Sequence, residues 1–247
     1  MIATIVHKGK NIKIDFSKPI DISLPIKVGG VKAWYVNEPS FEPVRMGDWV
    51  GEVKQGGSVN FKNVAFNPHG HGTHTECVGH ISIEDYSVND SLKQFMFIAK
   101  LITVIPEKIG EDVVVTKNAL LAVLKGEIPE AVIIRTSSDL PGKLSKNYSN
   151  TNPAYIHEDA MKFLIQNGCD HLLIDTPSVD KEVDNGQLLA HRAFWEYPYN
   201  TNTFRTITEL VFIADAIADG DYLLNLQVAA FENDAAPSSP VLYKFQS

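Results

Sequence analysis

Residues 69–80 read His69-Gly70-His71-Gly72-Thr73-His74-Thr75-Glu76-Cys77-Val78-Gly79-His80, so half of the chain's 8 histidines fall in one dodecapeptide together with a carboxylate. Imidazole nitrogen and carboxylate oxygen are the mixed donor set that Zn²⁺ and Mn²⁺ accept, and neutral histidine is the natural proton carrier near neutral pH. His74 and Glu76 stand two apart, so an extended backbone turns both toward one face. The glycines at 70 and 72 let the chain bend and approach an ion closely. Short histidine-rich tracts with an interleaved carboxylate read as metal-binding segments. Cys77 follows Glu76 directly, and a continuing strand points it the other way, as a small buried thiol.

Outward from this stretch, the first half reads as strands. Ala3 to Val6 and Ile12 to Phe16 flank a hairpin turn at Lys8-Gly9-Lys10-Asn11. Trp49 to Val53, Ser58 to Phe61 and Asn63 to Phe66 follow, with Gln55-Gly56-Gly57 as a turn. The apolar run from Phe95 centres a strand on Ala99 to Ile105, ended by Pro106. The second half alternates. Lys117 to Lys125 has Leu120, Leu121 and Leu124 at helical spacing. Ala131 to Thr136 is an apolar run entering a polar loop, as a buried parallel strand would be. His157-Glu158-Asp159 opens a helix that ends near Asn167-Gly168. Asp170 to Asp175 is the next strand, and Asp175-Thr176-Pro177-Ser178-Val179-Asp180 lies at its carboxyl end, where open α/β sheets place their sites. The expectation is one α/β domain over residues 1–247, strand-rich early and βαβ-like later.

At 247 residues the chain can bury a full core, and 44% hydrophobic with 21% charged residues is ordinary for a globular protein. A net charge of −8, with no Lys/Arg cluster, argues against a nucleic-acid partner. No apolar run is long enough to span a bilayer. The start of the sequence lacks a basic and then apolar leader, so a cytoplasmic location is expected. The two cysteines, Cys77 and Cys169, are far apart and are expected to stay reduced.

The histidine stretch resembles the signature of the cyclase family of metal-dependent hydrolases, which includes bacterial kynurenine formamidase and isatin hydrolase. That signature runs H-x-G-T-H-x-D-x-P-x-H. Gly72-Thr73-His74 matches G-T-H, Glu76 takes the acidic slot and His80 the last histidine. Gly70 occupies the first histidine slot, Glu76 replaces aspartate, and Val78 stands where the family has proline. Asp21-Ile22-Ser23-Leu24-Pro25, the D-T-P-S-V-D string, Ala190-His191-Arg192, Thr208-Glu209-Leu210 and Ser238-Ser239-Pro240-Val241 resemble further family segments in the same order. Residues 195–205 look inserted between the last histidine and glutamate, and Leu242 replaces an arginine.

The resemblance implies the family's swivelling β/β/α fold, a divalent metal (Zn²⁺ or Mn²⁺, one or two ions), and His69 or His71, His74, Glu76, His191 and Glu209 as its ligands. His80 matches the family's general acid/base. A strand would turn His71 away from His74, whereas an extra residue bulging at Gly70 returns His69 to the metal side, so His69 is expected to fill the slot. His191 also reads as a plain helix-face residue and Glu209 as a solvated carboxylate. Asp175 and Asp180 read as turn formers. His7, His157 and His171 read as surface or satisfied structural histidines. Trp34 and Tyr35 suit either a pocket wall or the core. The implied activity is hydrolysis of a C–N bond in a small amide or formamide; a metal-dependent lyase or cyclase and a non-catalytic ligand binder are the alternatives. A small-molecule substrate and a homo-oligomer, dimer or larger, complete the expectation.

Overall fold

A computed structural model describes residues 1–136 and 142–246 of the protein; the polar loop expected after Thr136 falls outside the described residues. Its centre is four parallel strands, Met96–Thr103, Ala131–Arg135, His171–Ile174 and Thr206–Glu209, paired in that order. Antiparallel strands extend the sheet on both sides. Beyond Met96–Thr103 come Gly220–Asn225, Val241–Gln246 and the hairpin Lys10–Asp15/Ile2–His7, with Ile20–Asp21 also on Val241–Gln246. Beyond Thr206–Glu209 come His74–Glu76 and Ala235–Pro237.

Ala131–Arg135 and His171–Ile174 are buried on both faces, which is why Ala131–Ile134 and Leu172–Ile174 read as unbroken apolar runs. Val132 and Ile134 point into a core with Leu120, Met161, Leu164, Phe194 and Trp195 of the helices Lys117–Val123, Glu158–Gln166 and Leu189–Trp195. Ala131 and Ile133 alternate to the other side, against Phe97, Leu101, Tyr222 and Leu224. The mixed α/β architecture, strand-rich early and βαβ-like later, is the one expected.

Several local expectations shift. The first hairpin turns on Lys8 and Gly9 alone, both left-handed (φ 47° and 74°), so Lys10 and Asn11 already belong to the second strand. The strand expected at Ala99–Ile105 runs from Met96 to Thr103, because Gly220–Asn225 pairs with Met96–Leu101 on one edge and Ala131–Arg135 with Ala99–Thr103 on the other. Ser58–Phe61 is not a strand. A 3₁₀ turn at Val53–Gln55 intervenes, Asn60 Oδ1 accepts the Val53 N–H (3.1 Å), and the strands of this region are Trp49–Val50 and Lys62–Ala65. His157 caps its helix, Nδ1 accepting the Asp159 N–H at 3.2 Å.

His171 is buried, its Nδ1 2.9 Å from Thr206 Oγ1 and its ring 4.1 Å from that of Phe97. Burial depresses its pKa to about 4, against 6.5 for an exposed imidazole. Between those values the unfolded chain binds a proton that the folded protein refuses, so stability present above pH 6.5 is lost as pH falls toward 4. The loss reaches about 3 kcal/mol. Denaturant unfolding at stepped pH should show a steeper decline in the wild type than in His171→Leu; equal slopes would remove His171 from the account.

Candidate active site

The register between Thr206–Glu209 and His74–Glu76 places His74 opposite Glu209 and Glu76 opposite Ile207. Side chains alternate across a strand, so His74, Glu76 and Glu209 share the face that carries the helix Leu189–Trp195. Thr75 and Thr208 turn to the opposite face and join by their hydroxyls at 2.8 Å. Thr73 fastens the approach: its Oγ1 donates to the Leu210 carbonyl (2.5 Å) and accepts the Leu24 N–H (2.7 Å), binding the Asp21–Pro25 segment to the site. Gly72 is left-handed at φ 71°, and a Cβ there would lie 2.6 Å from the Leu24 carbonyl oxygen, so a side chain would break this approach.

His191 comes from the Leu189–Trp195 helix, with Nε2 3.0 Å from Glu76 Oε1 and 3.8 Å from Glu209 Oε1. Asp180 holds it from behind, Oδ2 meeting His191 Nδ1 at 2.6 Å. The same carboxylate accepts the N–H groups of Ala190 (2.8 Å) and His191 (3.1 Å), satisfying the first turn of a helix whose preceding residue, Leu188, offers no side-chain cap. The turn-former reading of Asp180 therefore misses its main contact. Asp175 accepts from Thr136 N–H (2.9 Å) and Oγ1 (2.7 Å) and pairs with buried Lys143 (2.8 Å).

His69 arrives by a different route from the expected bulge. Residues 67–70 form a turn in which Asn67 Oδ1 accepts the Gly70 N–H at 2.9 Å and the Asn67 carbonyl accepts the His71 N–H at 3.1 Å. The turn sets His69 Nδ1 3.1 Å from Glu76 Oε2 and Nε2 2.7 Å from Asp234 Oδ2. His71 faces elsewhere: its Nδ1 accepts the Asn67 N–H (2.9 Å) and its Nε2 donates to the Asn37 carbonyl (2.8 Å), so neither nitrogen is left to bind an ion. His69→Ala is accordingly expected to lose bound metal and turnover together. His71→Ala should keep both and lose about 1–3 kcal/mol of stability through the abandoned backbone groups. Elemental analysis and thermal melts of the two variants decide it, and the reverse pattern would exchange their roles.

His80, on the one-turn 3₁₀ helix Val78–His80, lies at the rim with Nε2 3.9 Å from Glu76 Oε2 and Nδ1 3.4 Å from Asp234 Oδ2. Asp234 itself precedes the strand Ala235–Pro237, and nothing in its neighbourhood Phe231-Glu232-Asn233 marks it in the sequence. Cys77 points away, buried with Val88 and Ala236, its thiol donating to the Tyr86 carbonyl at 3.4 Å. Burial alone would neutralise Glu76, but the charges of His80 and His191 and the hydrogen bond from His191 hold its carboxyl well below the usual range. Burial likewise opposes a charged His69, yet Asp234 and Glu76 raise its pKa to about 10. Asp180 and Asp234, both partly desolvated, are held low by His191 and by His69 with His80 respectively.

These donors fit a divalent metal. Each of the triplets His69–His74–Glu76, His69–His80–Asp234 and Glu76–His80–His191 brings its donor atoms within 4.8 Å of one another. His74 Nδ1 donates to the Gly72 carbonyl (3.2 Å), which leaves Nε2 facing Glu209 Oε2 at 3.4 Å. That Nε2 and Glu76 Oε2 are buried and make no well-aligned hydrogen bond, their nearest polar neighbours being Glu209 and His69, a costly arrangement for polar atoms that have no ion to meet. A cleft of about 210 Å³ opens over the cluster, lined by Trp34, Ser178, Lys181, Glu182 and Leu188 beside the histidines.

A mixed sheet carrying an imidazole–carboxylate cluster at the carboxyl ends of its parallel strands defines a metal-centre protein of the α/β class. The sequence matches the Cyclase family model over residues 20–181, and the chain belongs to that family. Kynurenine formamidase of Bacillus cereus is 30% identical over 229 residues, 92% of this chain and 97% of that protein. The kynurenine formamidase of Bacillus anthracis is 30% identical over 230 residues. Among solved structures, isatin hydrolase A from Labrenzia aggregata superposes with TM-score 0.67 at 14% identity, covering 93% of this chain and 94% of that one. A predicted metal-dependent hydrolase from Bacillus stearothermophilus gives 0.63 at 16%, covering 92% and 98%. These two likenesses concern the fold. The family match ends before His191 and Glu209, which the fold brings to Glu76 and His74.

Proposed function

We propose that the protein is a metal-dependent hydrolase that cleaves the C–N bond of a small amide or formamide, and that residues 1–247 act as one catalytic domain. The observation that carries this reading is the convergence of buried donor atoms, among them His74 Nε2 and Glu76 Oε2, which make no well-aligned hydrogen bond and are turned toward His69, His191 and Glu209. The kynurenine formamidase relatives supply the bond type. His69, His74, Glu76, His191 and Glu209 would hold the ion. Nitrogen and oxygen donors without a thiolate suit Zn²⁺ or Mn²⁺. When bound, such an ion makes a water acidic enough to be a nucleophile near neutral pH and polarises a carbonyl oxygen.

The chain's own groups do the rest. His80 Nε2, at the rim between Glu76 and the cleft, takes the proton from the attacking water and returns it to the departing nitrogen as the C–N bond breaks. Glu76 and Asp234 keep its ring in place at 3.9 and 3.4 Å. Trp34 gives the cleft an apolar wall for a planar substrate. The test is metal analysis of protein purified without added ions, paired with turnover of N-formylkynurenine, isatin and a small ester panel. Stoichiometric Zn²⁺ or Mn²⁺ with formamide or amide turnover is expected; metal-loaded protein inert toward every C–N substrate would overturn the reading.

No helix among the described residues is long and apolar enough to cross a membrane. A cytoplasmic location is supported by two buried, unbridged thiols, Cys77 and Cys169. A homodimer or larger homo-oligomer is supported by the two-stranded ribbon Ser40–Pro43/Lys62–Ala65, which carries exposed Phe61 and Val64 and is too small to stand alone stably. A molar mass in solution equal to one chain would refute it.

A further inference from the structure

Three imidazoles face Glu76, and each has a second carboxylate on its far nitrogen. For His191 that carboxylate is Asp180, at 2.6 Å. For His69 and His80 it is one and the same group: Asp234 Oδ2 lies 2.7 Å from His69 Nε2 and 3.4 Å from His80 Nδ1. The two rings it spans lie against each other, centroids 4.2 Å apart and inclined by 31°. His74 differs, its far nitrogen meeting the Gly72 carbonyl.

The backbone delivers Asp234 independently of its side chain. Its carbonyl accepts the Cys77 N–H at 2.9 Å, continuing the ladder in which Ala235 pairs with Glu76. The neighbouring Asn233 carbonyl accepts the Val88 N–H at 2.9 Å, and Asn233 Nδ2 donates to the Ala235 carbonyl at 3.0 Å. With the main chain pinned on both sides, the Asp234 carboxylate is carried over the sheet edge onto the two histidines. An ionised carboxylate only accepts, so the ring nitrogen facing it must carry the hydrogen. His80 then keeps its hydrogen on Nδ1 and presents a bare Nε2 toward Glu76 and the cleft. His69 lies between two carboxylates and without an ion carries a hydrogen on each nitrogen; an ion would take the place of the hydrogen on Nδ1, with Nε2–H kept on Asp234.

We propose that Asp234 is the positioning residue of this centre, fixing through one carboxylate which nitrogen His69 and His80 each present to it. It thereby couples ion retention at His69 to proton transfer at His80. The ion and proton-transfer parts rest on the hydrolase reading above; the tautomer part does not. A carboxylate behind a metal-binding histidine typically changes metal affinity or activity by about 10–100-fold, and here one residue stands behind both functions.

The experiment compares wild type with Asp234→Asn, Asp234→Ala, Asp180→Asn and, as a neutral control, Glu232→Gln, whose carboxylate accepts from Asn89 Nδ2 on the surface. The ¹⁵N shifts of His80 are read in metal-free protein at alkaline pH. Wild type, Asp180→Asn and Glu232→Gln should show the Nδ1–H tautomer, and Asp234→Ala should move to Nε2–H. Zn²⁺ affinity, measured by competition with a chelating indicator, should fall about 10–100-fold in Asp234→Asn. At saturating metal the same variant should lose kcat with KM within about twofold of wild type. The conservative Asn variant, close in shape to aspartate, keeps the test valid should the alanine variant fold poorly. An unchanged His80 tautomer in Asp234→Ala, or wild-type Zn²⁺ affinity in Asp234→Asn, would overturn the proposal. Wild-type protein that binds no ion would instead sink the hydrolase reading, with the tautomer measurement still deciding the role of Asp234.

Discussion

Glu76→Gln should leave a folded protein that neither retains its metal nor turns over substrate. Glu76 is wholly buried, with Oε1 3.0 Å from His191 and Oε2 3.1 Å from His69, and every other candidate group is arranged around it. Glutamine keeps the shape but loses one oxygen acceptor and the negative charge. An ion of charge two then faces three imidazoles with a single strong carboxylate, Glu209. Lewis-acid and nucleophile generation are worth several kcal/mol, so turnover should fall on the order of 10³-fold or more. Loss of the buried charge also strands His191 and His69 with fewer acceptors; removing one partner of a buried pair costs about 3–5 kcal/mol. Asp180 and Asp234 remain behind those rings and should limit the loss. Glu76→Asp keeps the charge on a shorter arm and should recover part of the metal. Elemental analysis, a thermal melt and single-substrate kinetics on both variants decide the matter. Wild-type metal content in Glu76→Gln would remove Glu76 from the ligand set.

His80→Ala should separate the proton carrier from the ligands. His80 lies farther from Glu76 than His69 or His191 does, at 3.9 Å against 3.1 and 3.0 Å, and its side chain is 31% exposed where theirs are 18% and 2%. That is the place of a group that meets substrate and exchanges protons. General acid–base groups contribute about 10²–10⁴-fold, so kcat should drop by that amount with metal content near wild type. His80 also belongs to a triplet with Glu76 and His191 whose atoms are close enough to hold an ion. Metal lost along with activity would therefore make His80 a ligand and leave the proton carrier to be sought elsewhere.

Much of this centre follows from short-range rules. The period of two along a strand puts His74 and Glu76 on one face, and an unbroken apolar run at Ala131–Arg135 requires cover on both sides. Helical spacing around Met161 and Leu164 suffices to find the Glu158–Gln166 helix. Cys77 turns into the core because it stands one step from Glu76. These outcomes depend on residues within a few positions of one another, and the sequence by itself determined them. It was also enough to collect His69, His74, Glu76, His80, His191 and Glu209 as candidates, through the order of family-like segments.

Only the tertiary structure decided the rest. Ser58–Phe61 has strand-like composition, but only Phe61 joins backbone neighbours, Gly51 and Val44, and no ladder extends back along the stretch. His69, expected to reach the centre by a bulge, instead meets Glu76 through a turn closed by Asn67, and both nitrogens of His71 are spent on backbone groups. Asp180 and Asp234 reach the centre from segments 104 and 158 residues beyond Glu76, so no local pattern carries their role. Sheet order places Asp234, because His74–Glu76 is inserted between Thr206–Glu209 and Ala235–Pro237; Asp180 is placed by the Ala190 and His191 N–H groups it accepts.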